Sequence, residues 1–273
     1  MKNELIMHQI FFSDKEIKSL KRLIESCYDL SKNENEIENE IETIFLKLTS
    51  RNIFSIPAGL TCPKSKLCKS WASVINGKSQ IVDGDETLFR CYAASQEAQY
   101  PAVRDNRMHN FKAILKALRK GNAVELIDKS INKNLRLTRI HESGDFFSLD
   151  YLKAWLEVAR KNPDNIFYCY SKSLSYFLDF GIPSNFYVTA SWGGYEDHLI
   201  EYFERDSRVV FNEDEAKKLN LPIDHDDSNC FKKGSFCHLL HGTQPKGSEA
   251  SKELGKRKKL KKTNQSIFTG YSK

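Results

Sequence analysis

The sequence has no long hydrophobic run. Across its 273 residues, no uninterrupted apolar stretch approaches the roughly 18 to 20 residues that a membrane-spanning helix needs. The N-terminal segment MKNELIMHQIFF has neither the apolar core nor the cleavage site of a signal peptide. We therefore expect a cytoplasmic protein that does not associate with membranes.

Several catalytic signatures are also missing. The chain has no Walker phosphate loop and no glycine-rich dinucleotide fingerprint, which disfavours nucleotide-driven and nicotinamide chemistry. No nucleophile stands in a recognisable elbow or triad context. A metal-free hydrolase or transferase site would depend on an acid–base pair such as His141 with Asp145, or on His241 with Gln244.

The number of cysteines is odd. The seven cysteines are spread through a chain with no export signal, which disfavours a disulfide framework and favours reduced thiols. Cys27, in a predicted helix, and Cys169, in the run IFYCY, are interpreted as small buried hydrophobic residues.

Three other cysteines follow the first strand-like run of the main domain. Cys62, Cys68 and Cys91 occur in IPAGLTCPKSKLC and RCYAASQEAQYP, with 5 residues between the first two and 22 between the last two. Thiols on loops in this pattern favour a metal ion or an iron–sulfur cluster. Three protein ligands would leave a coordination position open, as in a reactive site. Cys230 or Cys237 as a fourth ligand would close it and favour a structural or electron-transfer role.

The net charge of +6 is concentrated near the C-terminus. Residues 246–262 have eight basic and two acidic side chains, and Lys273 adds one more charge, so residues 1–245 are close to neutral. This basic tail is either a solvated, poorly ordered end or a segment that contacts nucleic-acid phosphates. Nucleic acid is therefore a candidate partner.

The chain divides into three segments. Residues 1–50 form an N-terminal helical extension, with a helix predicted over about 14–30, which packs on the main domain or pairs with another copy. Residues 51–245 form an α/β domain that contains the cysteine loop, and residues 246–273 form the basic tail.

Short apolar runs alternate with helical stretches from residue 51 onward. The predicted strands are 52–56, 135–140, 166–170, 186–190, 209–211 and 238–240. The predicted helices are 102–120, 122–131, 149–161, 195–204 and 213–219, with Ser148 and Asn212 as caps. This alternation predicts a mostly parallel sheet, either open and doubly wound or a full or partial TIM-type (β/α) barrel.

Polar residues follow five of these strands. Each one alone is ordinarily a loop residue or a helix cap, but the carboxyl ends of parallel strands meet at one face, where ligands bind. The carboxylate of Glu142 or Asp145 would bind an ammonium group, and Lys172 would bind a carboxylate or phosphate. The flat ring of Trp192 would stack on adenine or another base. The predicted cofactor- or substrate-binding residues are His141, Glu142, Asp145, Lys172, Ser191, Trp192, His241 and Gln244.

The acidic run Asp224-His225-Asp226-Asp227 has two interpretations. Its carboxylates would suit a hard divalent cation. A solvated acidic turn is the favoured interpretation.

Several motifs together resemble the gene product 88 family of phage- and plasmid-associated proteins. The motifs are IPAGLTCP, RCYAASQEAQYPAVRDNR, RIHESGDFFS, YSKSL, TASWGG, DHDDS and HGTQPKGSEA, and they extend over about residues 51–250. This resemblance implies a protein of a phage or mobile element and no particular reaction.

The cysteine loop and the Cys-Tyr-Ala element are more distantly similar to radical S-adenosylmethionine enzymes. That resemblance implies a 4Fe–4S cluster bound by three cysteines, with one iron left for S-adenosylmethionine. The wide spacing of Cys62, Cys68 and Cys91 departs from the compact motif of those enzymes.

Two classes of function follow. The first is an iron–sulfur enzyme that acts on a nucleic acid, nucleotide or protein. The second is a non-catalytic nucleic-acid-associated protein with a structural zinc or cluster and the basic tail as its phosphate-binding segment.

Overall fold

A seven-stranded sheet lies at the centre of the computed structural model, which describes residues 5–10 and 50–263. Its order is β1-β2-β5-β6-β7-β8-β9; β1 is antiparallel to β2, and all other neighbours are parallel. This confirms the predicted α/β fold with a mostly parallel sheet. The strands are β1 (His8–Ile10), β2 (Arg51–Phe54), β5 (Leu137–Ile140), β6 (Ile166–Ser171), β7 (Phe186–Ser191), β8 (Arg205–Val210) and β9 (Gly234–Leu239).

Most of the helices connect these strands. The predicted caps are confirmed: the Ser148 hydroxyl accepts the Tyr151 amide, and the Asn212 side chain accepts the Glu215 amide. The α-helices are α1 (Tyr92–Gln99), α2 (Pro101–Lys120), α3 (Ala123–Ser130), α4 (Leu149–Lys161), α5 (Ser175–Leu178), α6 (Glu213–Lys218) and α7 (Glu249–Thr263). The predicted helix 195–204 is instead the 3-10 helix Asp197–Tyr202, and a second 3-10 helix spans Ser228–Phe231.

The helices α2 to α4 cover one face of the sheet. Six parallel strands follow one another in chain order, and right-handed crossovers then place successive helices on the same side. Ile114, Ile127 and Trp155 from these helices pack there against Phe54 and Ile140 of the strands. Each such fully buried side chain contributes about 1.5–3 kcal/mol through the hydrophobic effect.

The opposite face, called the inner face here, is polar at its centre. Asp227 is buried there and accepts hydrogen bonds from Arg139 at 2.8 Å, Tyr168 at 2.9 Å and Tyr170 at 3.2 Å. Arg51 lies 3.4 Å from the same carboxylate. The prediction of a solvated acidic turn is therefore wrong for Asp227, because two guanidinium groups and two hydroxyls replace its water.

No sheet closes on itself within the described residues. The central sheet keeps two edge strands, β1 and β9. The fold is thus a mixed α/β structure with an open, mostly parallel sheet, and a full TIM barrel is not formed.

A separate hairpin lies between the second and third loop cysteines. It pairs β3 (Ser70–Ile75) with β4 (Lys78–Asp83), and its turn residues Asn76 and Gly77 have φ values of 52° and 74°. An Asn-Gly pair at positive φ is the usual two-residue hairpin turn. This Asn-Gly turn joins the two strands of a hairpin in a region that we predicted only as a loop.

Segments near both limits of the described residues also form regular structure. Residues His8–Ile10 form an edge strand, and residues Glu249–Thr263 of the basic tail form a helix rather than a poorly ordered end. The predicted helix over 14–30 and Cys27 lie outside the described residues. Within 5–10 and 50–263, no helix combines the length and apolar character needed to span a bilayer.

Candidate functional site

The loop after β2 crosses the carboxyl ends of two other strands. A β-carbon added at Gly144, after β5, would lie 2.3 Å from the Ile56 side chain and 2.6 Å from the Thr61 hydroxyl. The amides of Lys66 and Leu67 donate to the Gly193 carbonyl, after β7, at 3.1 and 3.0 Å. The predicted convergence of polar strand ends therefore includes the cysteine loop itself.

Side-chain hydrogen bonds link the three loop cysteines. The Ser70 hydroxyl donates to the Cys68 carbonyl at 3.3 Å and accepts the Cys91 amide at 3.0 Å. The Lys69 ammonium group donates to the Cys62 carbonyl at 2.6 Å. These contacts connect the three cysteine backbones although 22 residues separate Cys68 from Cys91.

The thiols also influence one another's ionisation. Burial raises the pKa of Cys62 well above its ordinary value, and Asp145 and the other two loop cysteines raise it further. Burial raises the pKa of Cys91 to about 11, and Cys68 adds to the shift, whereas backbone amides at the start of α1 lower it. Such a site favours thiolates only when a cation compensates their charge.

The sulfur atoms do not form a preassembled site for a single ion. Among the described residues, no three His, Cys, Asp or Glu side chains are arranged to hold one metal ion. A tetrahedral zinc ion with Zn–S bonds of about 2.3 Å needs sulfurs roughly 3.8 Å apart. In a cluster each thiolate binds a different iron atom, so the sulfurs lie further apart.

The two cysteines considered as a fourth ligand lie elsewhere. Cys230 is buried on the inner face with Leu137 and Tyr168. Cys237 is buried on the other side of the sheet, and its thiol donates to the Pro222 carbonyl at 3.5 Å. The structure brings neither of them to the three loop cysteines.

The end of β9 meets the start of α1. The Tyr92 ring stacks on His241 with centroids 4.5 Å apart, and its hydroxyl donates to the Glu142 carbonyl at the end of β5. The Gln244 side chain accepts the Arg90 amide at 2.7 Å and donates to the Arg90 carbonyl at 3.1 Å. Gln244 therefore fixes the backbone of Arg90, the residue next to Cys91, so its role is to position the cysteine loop.

Glu142 presents a carboxylate at this end of the sheet. Its side chain is 28% exposed and lies 3.4 Å from Arg107, which also contacts the buried Glu97 at 3.0 Å. Glu97 in turn accepts the Ala58 amide at 2.9 Å. This ion network joins the cysteine loop, α1 and β5, and it leaves part of Glu142 accessible to a ligand.

Lys172 and Ser191 form a second polar pair at the strand ends. The Lys172 ammonium group donates to the Ser191 hydroxyl at 2.5 Å. Asp145 is buried and accepts the Lys172 amide at 2.8 Å and the Ser171 hydroxyl at 2.7 Å. Asp145 thus fixes the backbone of Lys172 and lies close enough to Cys62 to affect its ionisation.

His141 and Trp192 make other contacts. The His141 ring packs on Phe146 on the helix side, and its Nε2 lies 2.9 Å from the Tyr151 hydroxyl. Burial lowers the pKa of His141 to about 3, so the ring is neutral at pH 7. Trp192 donates to Asp206 at 2.6 Å, and the Arg208 guanidinium lies 4.2 Å from its ring centre.

We use the term mouth for the site made by the three loop cysteines and the accessible strand-end groups around them. Its members are Cys62, Cys68, Cys91, Tyr92, Glu142, Lys172, Ser191 and His241. Ser70 and Tyr92 were not predicted, because a serine within a strand and a tyrosine beside a cysteine have no distinctive sequence pattern.

Similarity to known proteins identifies the family. A family model described as Gene product 88 matches residues 21–260, which is most of the chain. The chain belongs to the gene product 88 family. This confirms the predicted resemblance to that phage family, while the more distant resemblance to radical S-adenosylmethionine enzymes stays a prediction.

A curated relative matches over a shorter stretch of this family member. The Gene 88 protein of Mycobacterium phage L5 is 34% identical over 91 residues, a stretch that makes up 30% of this chain and 38% of that protein. The matched part is thus less than half of the relative's length. No solved structure matches the chain significantly.

Proposed function

We propose that Cys62, Cys68 and Cys91 bind an iron–sulfur cluster at the mouth of this gene product 88 family protein. The observation that carries the proposal is the link made by Ser70, which joins Cys68 to Cys91 across the hairpin. The Lys69 ammonium group, bonded to the Cys62 carbonyl, would compensate part of the negative charge of the three thiolates. Backbone amides of α1 that donate to Cys91 would do the same.

A cluster with three protein ligands has one iron atom open to another molecule. We propose S-adenosylmethionine as a candidate cofactor, since the mouth offers groups of both required signs. The accessible Glu142 carboxylate would bind its ammonium group, and Lys172 with Ser191 would bind its carboxylate. This assignment depends on the cluster, but the cluster proposal does not depend on this cofactor.

A curved sheet supports this proposal. Tyr92 contacts the ends of both β5 and β9, which are four positions apart in the sheet and would lie about 19 Å apart if it were flat. One tyrosine spans that gap, which favours an open, partial barrel that surrounds the mouth. In such folds, ligands bind at the carboxyl ends of the strands.

Metal analysis of protein purified without oxygen tests the cluster proposal. We expect about four iron and about four acid-labile sulfide per chain, and loss of both in Cys62→Ser, Cys68→Ser and Cys91→Ser. Cys237→Ser is the matched control, because a serine hydroxyl can donate to the same Pro222 carbonyl.

The other outcomes separate the alternatives. Bound zinc without iron or sulfide would contradict the cluster and favour the non-catalytic protein with a structural zinc. Absence of iron, sulfide and zinc from the unaltered protein would reject both metal-binding functions. An intact cluster whose electron paramagnetic resonance spectrum does not change with S-adenosylmethionine would reject only that cofactor.

A further inference from the structure

The helix α7 packs directly beside the mouth. Ala250 and Leu254 of α7 belong to the same apolar cluster as Cys68 and Leu240. Arg257 is also buried, and its guanidinium donates to the Leu240 carbonyl at 2.7 Å. The described part of the basic tail is therefore attached to the end of β9, next to the second loop cysteine.

One face of α7 is strongly basic. Lys252, Lys256 and Lys259 are exposed and follow one another at spacings of four and three residues, so they form one stripe along the helix. At 3.6 residues per turn, this stripe lies opposite the buried positions Ala250 and Arg257. Packing thus separates the basic residues of α7 whose burial is described: the Arg257 side chain is buried, whereas Lys252, Lys256 and Lys259 face solvent.

The acidic residues of α7 reduce this charge only in part. Glu253 accepts the Asn212 side-chain amide at 2.9 Å and the Lys256 ammonium group at 2.5 Å. Glu249 adds a second negative charge near the start of the helix. Lys246 and Lys258 are exposed as well, so the described part of the tail retains a net positive outer surface.

We infer that the lysine stripe of α7 binds the phosphate backbone of DNA and holds it beside the cysteine mouth. This inference deepens the proposed function by naming DNA as the substrate class, and only that role as substrate rests on the proposed function. A row of lysines neutralises phosphates without reading bases, because each ammonium group acts as a point charge. The affinity should therefore depend strongly on salt and little on sequence.

DNA binding at several salt concentrations tests the stripe. We would measure fluorescence anisotropy of two labelled DNA duplexes of unrelated sequence with the full chain and with Lys252→Gln/Lys256→Gln/Lys259→Gln. The variant should bind both duplexes more weakly and reduce the slope of log affinity against log salt by about three. The matched control is a triple Lys→Gln variant at the exposed α2 positions Lys112, Lys116 and Lys120, which removes the same charge from another helix.

The outcomes distinguish this inference from the cluster proposal. Equal weakening by the α2 and α7 variants would mean a response to net charge alone and would overturn the stripe. Binding to anionic phospholipid vesicles but not to DNA would also overturn it. The α7 variant should retain its iron and sulfide, so loss of DNA binding and loss of the cluster are separate results.

A second measurement tests the position next to the mouth. In metal-free protein, bound DNA should slow alkylation of Cys68 by a maleimide severalfold in the unaltered chain but not in the α7 variant. Unchanged alkylation at saturating DNA would overturn placement at the mouth while leaving phosphate binding by α7 intact. Because the alkylation rate is measured on metal-free protein, the result does not depend on whether the chain binds a cluster.

Discussion

Asp227 illustrates how one buried side chain links distant parts of this fold. Burial by itself would raise the pKa of its carboxyl group, but Arg139 and Arg51 lower that pKa below its usual value. The ionised carboxylate is therefore part of the native structure. It joins β2 and β5 to the connection between β8 and β9.

We predict that Asp227→Asn destabilises the protein by about 3 kcal/mol at neutral pH, because two partly buried guanidinium groups lose their counter-charge. Since the folded-state pKa is lowered, the contribution of Asp227 is complete above its unfolded pKa, near 3.9, and disappears as the pH falls through the folded value. Urea unfolding at pH 7 and near pH 3 measures this.

An exposed aspartate serves as the control for this substitution. Asp214 has an exposed side chain with one surface ion pair to Lys217 at 3.8 Å. Asp214→Asn should change stability by less than about 1 kcal/mol at either pH. If both variants unfold at the same urea concentration, the Asp227 network does not stabilise the fold as argued.

Helix α7 is held to the domain by one buried guanidinium group in addition to its apolar contacts and the hydrogen bond from Asn212 to Glu253. Arg257 donates to the Leu240 carbonyl, and burial lowers its pKa. We predict that Arg257→Ala leaves this carbonyl without its partner, costs about 1–3 kcal/mol, and loosens α7 from the end of β9. Limited trypsin digestion should then cut within 249–263 several times faster.

The neighbouring residue provides the comparison for α7. Lys258 is exposed, so Lys258→Ala removes a basic side chain without changing the buried contact. Its cleavage pattern should match that of the unaltered protein at the remaining sites. Equal sensitivity of the two variants would contradict docking through Arg257.

The proposed cluster would stabilise the complete protein, because it would bind the folded state and not the unfolded chain. We predict that anaerobic reconstitution raises the unfolding temperature by about 5 to 10 °C. Cys91→Ser should show no increase on the same treatment, whereas Cys237→Ser should behave like the unaltered chain. An identical increase in Cys91→Ser would mean that the added iron binds elsewhere.

Local patterns predicted a large part of the regular structure. The apolar run at Ile166–Ser171 and the amphipathic helix Leu149–Lys161 with its Ser148 cap agree closely with prediction, because periodicity and capping depend on neighbouring residues. The strand near 209–211 was predicted too short, since Arg205–Val210 includes charged residues whose positions only the adjacent strands explain.

Site roles were harder to assign from sequence. His141 and Glu142 are adjacent, and both follow β5. The His141 ring packs in the helix-side core, whereas the Glu142 side chain remains partly accessible. A positive φ of 66° at His141 redirects the chain at that point. No sequence pattern distinguishes the two, because their difference arises from backbone direction and from Tyr151 and Phe146 on other segments.

The order of residues determines the parallel α/β class, the basic tail and the presence of cysteines on loops, because each depends on composition or on short-range periodicity. The tertiary structure determines which of those cysteines lie close together, which lysines of α7 face solvent, and that Asp227 is buried. These features arise from contacts between residues far apart in the chain, such as Ser70 with Cys91 and Arg257 with Leu240. Burial and charge pairing across the assembled sheet stabilise these contacts, and neither exists before the strands have come together.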